Sequence, residues 1–259
     1  MKFLNYKDIS IPILFETEDF VVLNKPDGLI VELSYESDKF NVKDIISEVY
    51  NPAASITQQD IEAHKNDKEY NVVEEFKERQ GLVHRLDADT SGVMVVSKTL
   101  KGFIHLKKQF MNRTVFKKYV AISYEKFSQA GLNQVIEINA PIGRSKKNRT
   151  KFIILEEGKP AVTQFKQIKF IGDDFTVWEC IPKTGRTHQI RVHLTSLNCP
   201  ILGDSKYSGI VRTRRDKDRF TRLFLHAFVL GFHDLNGKYH EFLADLPTEF
   251  TDLINHYKT

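Results

Sequence analysis

Cysteine is nearly missing from this 259-residue chain: Cys180 and Cys199 stand far apart and outside any CxxC spacing. That excludes a disulfide framework, a zinc knuckle and a thiol redox pair, and a reducing compartment, the cytoplasm, is expected. Thirteen glycines and eight prolines are too few for a collagen-like or low-complexity chain, and 41% hydrophobic residues are too many for a disordered one. Long apolar runs are also lacking. The longest, Leu223 to Phe232, is interrupted by His226 and falls well short of the ~20 residues that a membrane-crossing helix needs, so no membrane partner is expected. The opening MKFLNYKDIS places Asn5, Lys7 and Asp8 where a secretory signal would be apolar, so no export signal is expected. Phosphate-loop, dinucleotide-binding and HExxH motifs are absent, and no Ser sits in a GxSxG elbow. His188 and His193, five apart on a helix, point about 140° from one another and do not suit a shared metal. Neither a metal nor a cofactor is expected.

What the chain does have is charge in blocks. The net charge of +4 is small, but residues 101–118 carry six Lys or Arg and no acid. Residues 142–151 carry five and no acid, and 205–222 carry seven against two acids. Such runs are usually solvated faces, but three of them offer tracks for an acidic polymer such as nucleic acid.

Pattern places the elements. Pro12 to Phe15 and Phe20 to Leu23 form a hairpin around Glu16–Asp19, and Val42 to Tyr50 form a helix capped by Asn41 and stopped by Pro52. Residues of about 51–80 make a polar excursion, partly helical around Val72 to Glu78. LVHRL and VMVVSK form two strands that flank a loop, Asp87 to Gly92. Thr99 caps a helix with Leu100, Phe103, Ile104, Phe110 and Met111 at helical spacing. Strands are expected over Lys117–Tyr124, Val135–Ile142, Ala161–Phe170, Phe175–Ile181, Leu223–Leu230 and Tyr239–Leu243. Thr187 begins a helix that buries Ile190, Leu194 and Leu197. With no repeat and no linker, residues 1–259 are expected to form a single catalytic domain in two lobes.

Two dense polar segments stand out, GLVHRLDADTSG and PKTGRTHQIRVHL. Arg191 lies beside the apolar stripe of its helix, where a guanidinium needs an anionic partner, and Asp87 is the candidate. On pattern alone the two are either a structural ion pair or part of a site.

HRLDADTSG resembles the HRLDxxTSG signature of the ribosomal large-subunit pseudouridine synthases of the RluA type. LFETEDFVVLNKPDGL is similar to that family's opening hairpin, and QFMNRTVFKKYVAI to the arm before its active-site tyrosine. PKTGRTHQIRVHL with PILGDSKY resembles its arginine motif, and RLFLHA its closing strand. The matches run in order from residue 12 to 245. The resemblance implies an α+β pseudouridine synthase fold: a long, mixed, mostly antiparallel sheet in two lobes flanked by helices, with the active-site cleft between the lobes. It implies isomerisation of a uridine to pseudouridine in structured rRNA or tRNA, an extruded target base, and no cofactor or metal.

By the same resemblance Asp87 is the catalytic carboxylate, acting as nucleophile or as base; Tyr119 packs on the target base and Arg191 pairs with Asp87. His84, Arg85, Thr90, Ser91, Gly92, Arg186, His188 and Leu225 are the expected substrate-binding residues, with Arg85 filling the gap left by the flipped nucleotide and Leu225 lining the pocket. Expected contacts to the RNA backbone are Lys107, Lys108, Arg113, Lys117, Lys118, Arg144, Lys146, Lys147, Arg149, Arg214 and Arg215. Position 88, often basic in the family, is Ala here. The hairpin starts almost at Met1, so the family's small N-terminal RNA-binding domain is not expected, and the protein is expected to be a monomer. The alternative is an inactive RNA-binding or ribosome-assembly protein on the same fold.

Overall fold

The computed structural model describes residues 2–33, 40–64, 71–215 and 219–256, without the side chains of Arg215 and His256. Two compact units emerge, Met1–Phe116 with Val229–Ala244, and Lys117–Phe228 with Asp245–Thr259.

The first unit opens with β1 (Lys2–Tyr6), β2 (Ile9–Glu16) and β3 (Phe20–Lys25), followed by α1 (Val42–Tyr50), α2 (Gln58–Ala63), α3 (Val72–Arg79), β4 (Ser91–Ser97) and α4 (Leu100–Met111). Strands β1 to β4 are successive antiparallel neighbours. The helix starts are written in the sequence. Asn41 and Asp44 form a reciprocal capping box at α1, Asn71 caps α3, and Thr99 takes the Gly102 N–H at α4. Pro52 follows Asn51, the left-handed C-cap that ends α1. Every residue of β4 is buried, and Val93 to Val96 share the interior with Val21, Val22, Phe76 and Phe103.

The second unit contains most of β5 (Phe116–Tyr124), then β6 (Val135–Asn139), β7 (Ile142–Arg144), β8 (Phe152–Ile154), β9 (Val162–Ile171), β10 (Phe175–Pro182), α5 (Gln189–Ser196) and α6 (Ile210–Arg215). Strand β11 (Leu225–His233) starts in this unit and ends in the first, where it pairs with β12 (Tyr239–Leu243); α7 (Thr248–His256) belongs to the second. Strands β5, β10, β9 and β6 are antiparallel neighbours in that order, while β7 and β8 form a separate two-stranded hairpin. Trp178, Phe165, Ile122, Leu194 and Phe250 centre the core, and the Trp178 indole N–H donates to the Ser123 hydroxyl at 2.7 Å. The expected α+β class, with a large and mostly antiparallel sheet, is the one observed.

Three expected elements differ. Residues 82–86 form no strand beyond the isolated bridge of Leu82 with Val96, because the His84 ring accepts the Val95 amide hydrogen that a neighbouring strand would take. The strand expected over Val135–Ile142 breaks at Ala140–Pro141, where proline has no N–H to continue a ladder, and Ile142 turns into the hairpin. Helix α5 starts at Gln189, with His188 as N-cap at φ 57°, and Leu197 is its half-buried C-cap.

Candidate active site

In the first unit Asp87 opens a tight turn. The Thr90 N–H donates to the Asp87 carbonyl at 3.1 Å, and Ala88 and Asp89 form the corner. Thr90, Ser91 and Gly92 are buried behind the turn and run directly into β4, so they brace it from within. The Asp87 side chain is half-buried and Arg85 is exposed.

Two side chains fix the approach to that turn. His84 accepts the Val95 N–H on Nε2 at 3.0 Å, which requires that nitrogen to be unprotonated, and its ring stacks on Phe110 at 4.6 Å. Lys25 ends β3 and is fully buried. Its Nζ donates to the carbonyls of Pro26 (2.7 Å), Leu29 (2.8 Å) and Ala88 (2.9 Å). Three carbonyls match the three N–H groups of an ammonium, which offsets the cost of burying the charge. Because Ala88 follows Asp87, Lys25 ties the turn to the end of the hairpin. The sign of its role in the sequence is a lysine that follows the apolar run FVVL by two positions.

In the second unit Arg191 is 2% exposed on α5. Its Nε and Nη2 donate to the two carboxylate oxygens of Asp204, both at 2.8 Å. The carboxylate that takes this edge is therefore Asp204 in PILGDSKY, a residue that sequence reasoning quoted but assigned no role. The physical reason is geometric. A guanidinium fork presents a side-on edge that one carboxylate fills with two bonds, and the Nη1 hydrogens are not part of that pair. Asp204 also accepts the N–H groups of Lys206 and Tyr207 at 3.0 and 3.1 Å, which closes its turn.

Backbone bonds lock this turn to the strands beside it. Ile122 donates to Phe224, Leu202 to Ile122, and Phe224 to Leu202, all at 2.9–3.0 Å. The ring of bonds joins β5, which carries Tyr119, to the Asp204 turn and to the residue before Leu225. Tyr119 is half-buried against the core of this unit, and Leu225 is buried within it. The start of α5 is seated just as tightly. Gln189 accepts from the Thr184 hydroxyl and the Arg186 N–H, and donates to the Val162 carbonyl and the Thr163 hydroxyl. Arg186 donates through Nε to the Pro160 carbonyl, and His188 Nδ1 meets the Tyr207 hydroxyl at 2.8 Å.

The expected RNA-backbone residues divide. Lys108, Arg113, Arg144, Lys146, Lys147, Arg149 and Arg214 are exposed, and Lys117 is half-buried. Lys107 is ion-paired with Glu75, and burial pushes its ammonium pKa down; Lys118 pairs with Glu179 at 3.0 Å. Both lysines already have carboxylate partners, which weakens them as phosphate contacts. The side chain of Arg215 lies outside the described residues. Among the described residues, no helix is long and apolar enough to cross a membrane, and no three His, Cys, Asp or Glu side chains form a group able to hold a metal ion.

Residues 19–196 match the family described as RNA pseudouridylate synthase. The chain belongs to this family. The Asp87 turn, Tyr119 and Arg191 all fall inside the matched span. As an RNA pseudouridylate synthase the protein isomerises uridine to pseudouridine in RNA. It is 36% identical over 256 residues to the uncharacterized RNA pseudouridine synthase YlyB of Bacillus subtilis (strain 168), covering 96% of this chain and 74% of the relative. Ribosomal large subunit pseudouridine synthase D of Haemophilus ducreyi (strain 35000HP / ATCC 700724) is 30% identical over 262 residues, covering 98% and 72%. In three dimensions the chain resembles human RNA pseudouridylate synthase domain containing 4, with a TM-score of 0.66, 25% identity and coverage of 95% and 92%.

Proposed function

We propose that Asp87 is the carboxylate that carries the isomerisation, with Tyr119 stacked on the target base and Arg191 as the third catalytic residue. The observation that carries this reading is the Asp87 turn: a half-buried carboxylate, braced by the buried Lys25 and by β4, inside the span that matches the family. Breaking the bond from ribose to the uracil nitrogen and rejoining it through carbon neither adds nor removes atoms. An ionised carboxylate beside the sugar, as nucleophile or as base, suffices for it.

The target uridine has to leave its stack, at a cost of a few kcal/mol, which Tyr119 and Leu225 offset in part by packing on the base while Arg85 occupies the gap. Thr90, Ser91 and Gly92 shape the turn, and His84, Arg186 and His188 hold the segments around the substrate. The exposed cations from Lys108 to Arg149, with Arg214, track the phosphates. The substrate is rRNA by analogy with the relatives named ribosomal large subunit pseudouridine synthase D. The two units work as one catalytic domain, in a cytoplasmic monomer that uses neither metal nor cofactor.

Mapping of carbodiimide-adduct stops by primer extension, on large-subunit rRNA and tRNA incubated with the protein, tests the reading. New stops in the rRNA are expected. Stops confined to tRNA would overturn the substrate, and a lack of stops on every RNA would overturn the activity.

A further inference from the structure

Tyr207 sits where three parts of the second unit meet. Its hydroxyl accepts the Phe152 N–H of β8 at 2.9 Å and shares a 2.8 Å hydrogen bond with His188 Nδ1 at the start of α5. The Arg191 guanidinium lies 5.2 Å from the centre of its ring. Its backbone N–H is held by Asp204, the carboxylate that grips Arg191 side-on. The His188 ring packs edge to face on the Tyr207 ring at 5.5 Å and on the Phe152 ring at 5.6 Å, and the Arg144 guanidinium covers the Phe152 ring at 5.1 Å. His188 holds this place in the left-handed region at φ 57°, a conformation that is strained for a non-glycine residue and persists only where its surroundings over-determine it.

Strand β8 is one arm of the β7–β8 hairpin, whose tip carries the exposed Lys146, Lys147 and Arg149. A single side chain therefore ties the basic hairpin to the helix of Arg191 and lies against that arginine itself. We propose that Tyr207 is a positioning residue for the isomerisation, its hydroxyl holding the RNA-gripping hairpin and its ring holding Arg191, so that substrate grip and the arginine share one support. The proposal rests on the reading that the hairpin binds RNA and that Arg191 serves the reaction.

The full chain with Tyr207→Phe loses only the hydroxyl. Two hydrogen bonds are removed, so the Kd for RNA rises about 3- to 10-fold. Tyr207→Leu removes the ring as well. It shows a similar rise in Kd together with a fall of about 10-fold or more in the single-turnover rate at saturating RNA, a larger fall than in Tyr207→Phe. Melting curves identify the folded fraction to which both measurements are normalised. A double-mutant cycle with Lys146→Ala/Lys147→Ala/Arg149→Ala removes the dependence on any one variant's folding. The triple substitution costs less affinity in the Tyr207→Phe background than in the parent if the hydroxyl acts through the hairpin.

Unchanged RNA affinity in Tyr207→Phe, or additive effects in the cycle, overturns the hairpin link. Equal rates for the folded Phe and Leu variants overturn the link to Arg191. A lower melting temperature with affinity and rate both intact would mean packing only, and overturns the whole proposal. Failure of the underlying reading looks different: the triple variant alone then binds RNA like the parent, or Asp87→Asn stays active.

Discussion

The hydrogen bonds that seat α5 end at His193, a fully buried ring between the Thr163 hydroxyl at 2.9 Å and the Ala140 carbonyl at 3.1 Å. Burial pushes its pKa below the ordinary 6.5, against a smaller opposing effect from the Ala140 carbonyl. The unfolded ring thus takes up a proton that the folded ring refuses. The stability contributed by His193 is whole above its unfolded pKa of 6.5, declines as pH falls below that value, and levels off beneath the folded pKa. His193→Gln keeps a donor and an acceptor but does not titrate, so its melting temperature should fall less than the parent's between about pH 7.5 and pH 5.5. Equal losses in the two proteins would contradict this account. Residue identity and residue partnership differ in how far sequence reveals them. Asp87, Tyr119 and Arg191 were singled out in the sequence by motifs that resemble the family's, and their catalytic roles are proposals. The partners Lys25 with Ala88 and Arg191 with Asp204 were not legible, because a pairing across 63 or 13 residues is settled by tertiary packing.

At the scale of elements, local chemistry was the readable part. The hairpin of β2 and β3, the capped α1 and α4, and the strand Tyr239–Leu243 follow from turn residues, caps and alternation. The failures came where a side chain or a missing N–H replaced the ladder: His84 in place of a strand partner at residues 82–86, and Pro141 in the middle of Val135–Ile142. The turn that carries Asp204 depends on one glycine. Gly203 has φ +69°, and a Cβ there would lie 1.8 Å from the Arg222 carbonyl. Gly203→Ala adds backbone strain to a clash with main chain that cannot swing away, and should cost at least ~3 kcal/mol, or about 6 °C or more in melting temperature. A variant that melts within about 2 °C of the parent would show that the Asp204 turn is not locked to the strands as described.

At the scale of the whole molecule, the net charge of +4 is a difference between basic stretches and an acidic remainder, and the β7–β8 hairpin shows one of those stretches gathered on a single small element. Membership of the RNA pseudouridylate synthase family identifies the reaction, and the two units supply its proposed parts: the Asp87 turn in one, Tyr119 and Arg191 in the other. The most direct test of Asp87 as the catalytic carboxylate is a paired measurement on Asp87→Asn, pseudouridine formed in rRNA and Kd for the same RNA. The amide keeps the shape of the side chain and removes its charge. The account predicts RNA affinity within about threefold of the parent and a loss of at least ~10³-fold in rate, down to no detectable pseudouridine. Pseudouridine formed by Asp87→Asn at the parental rate would contradict it.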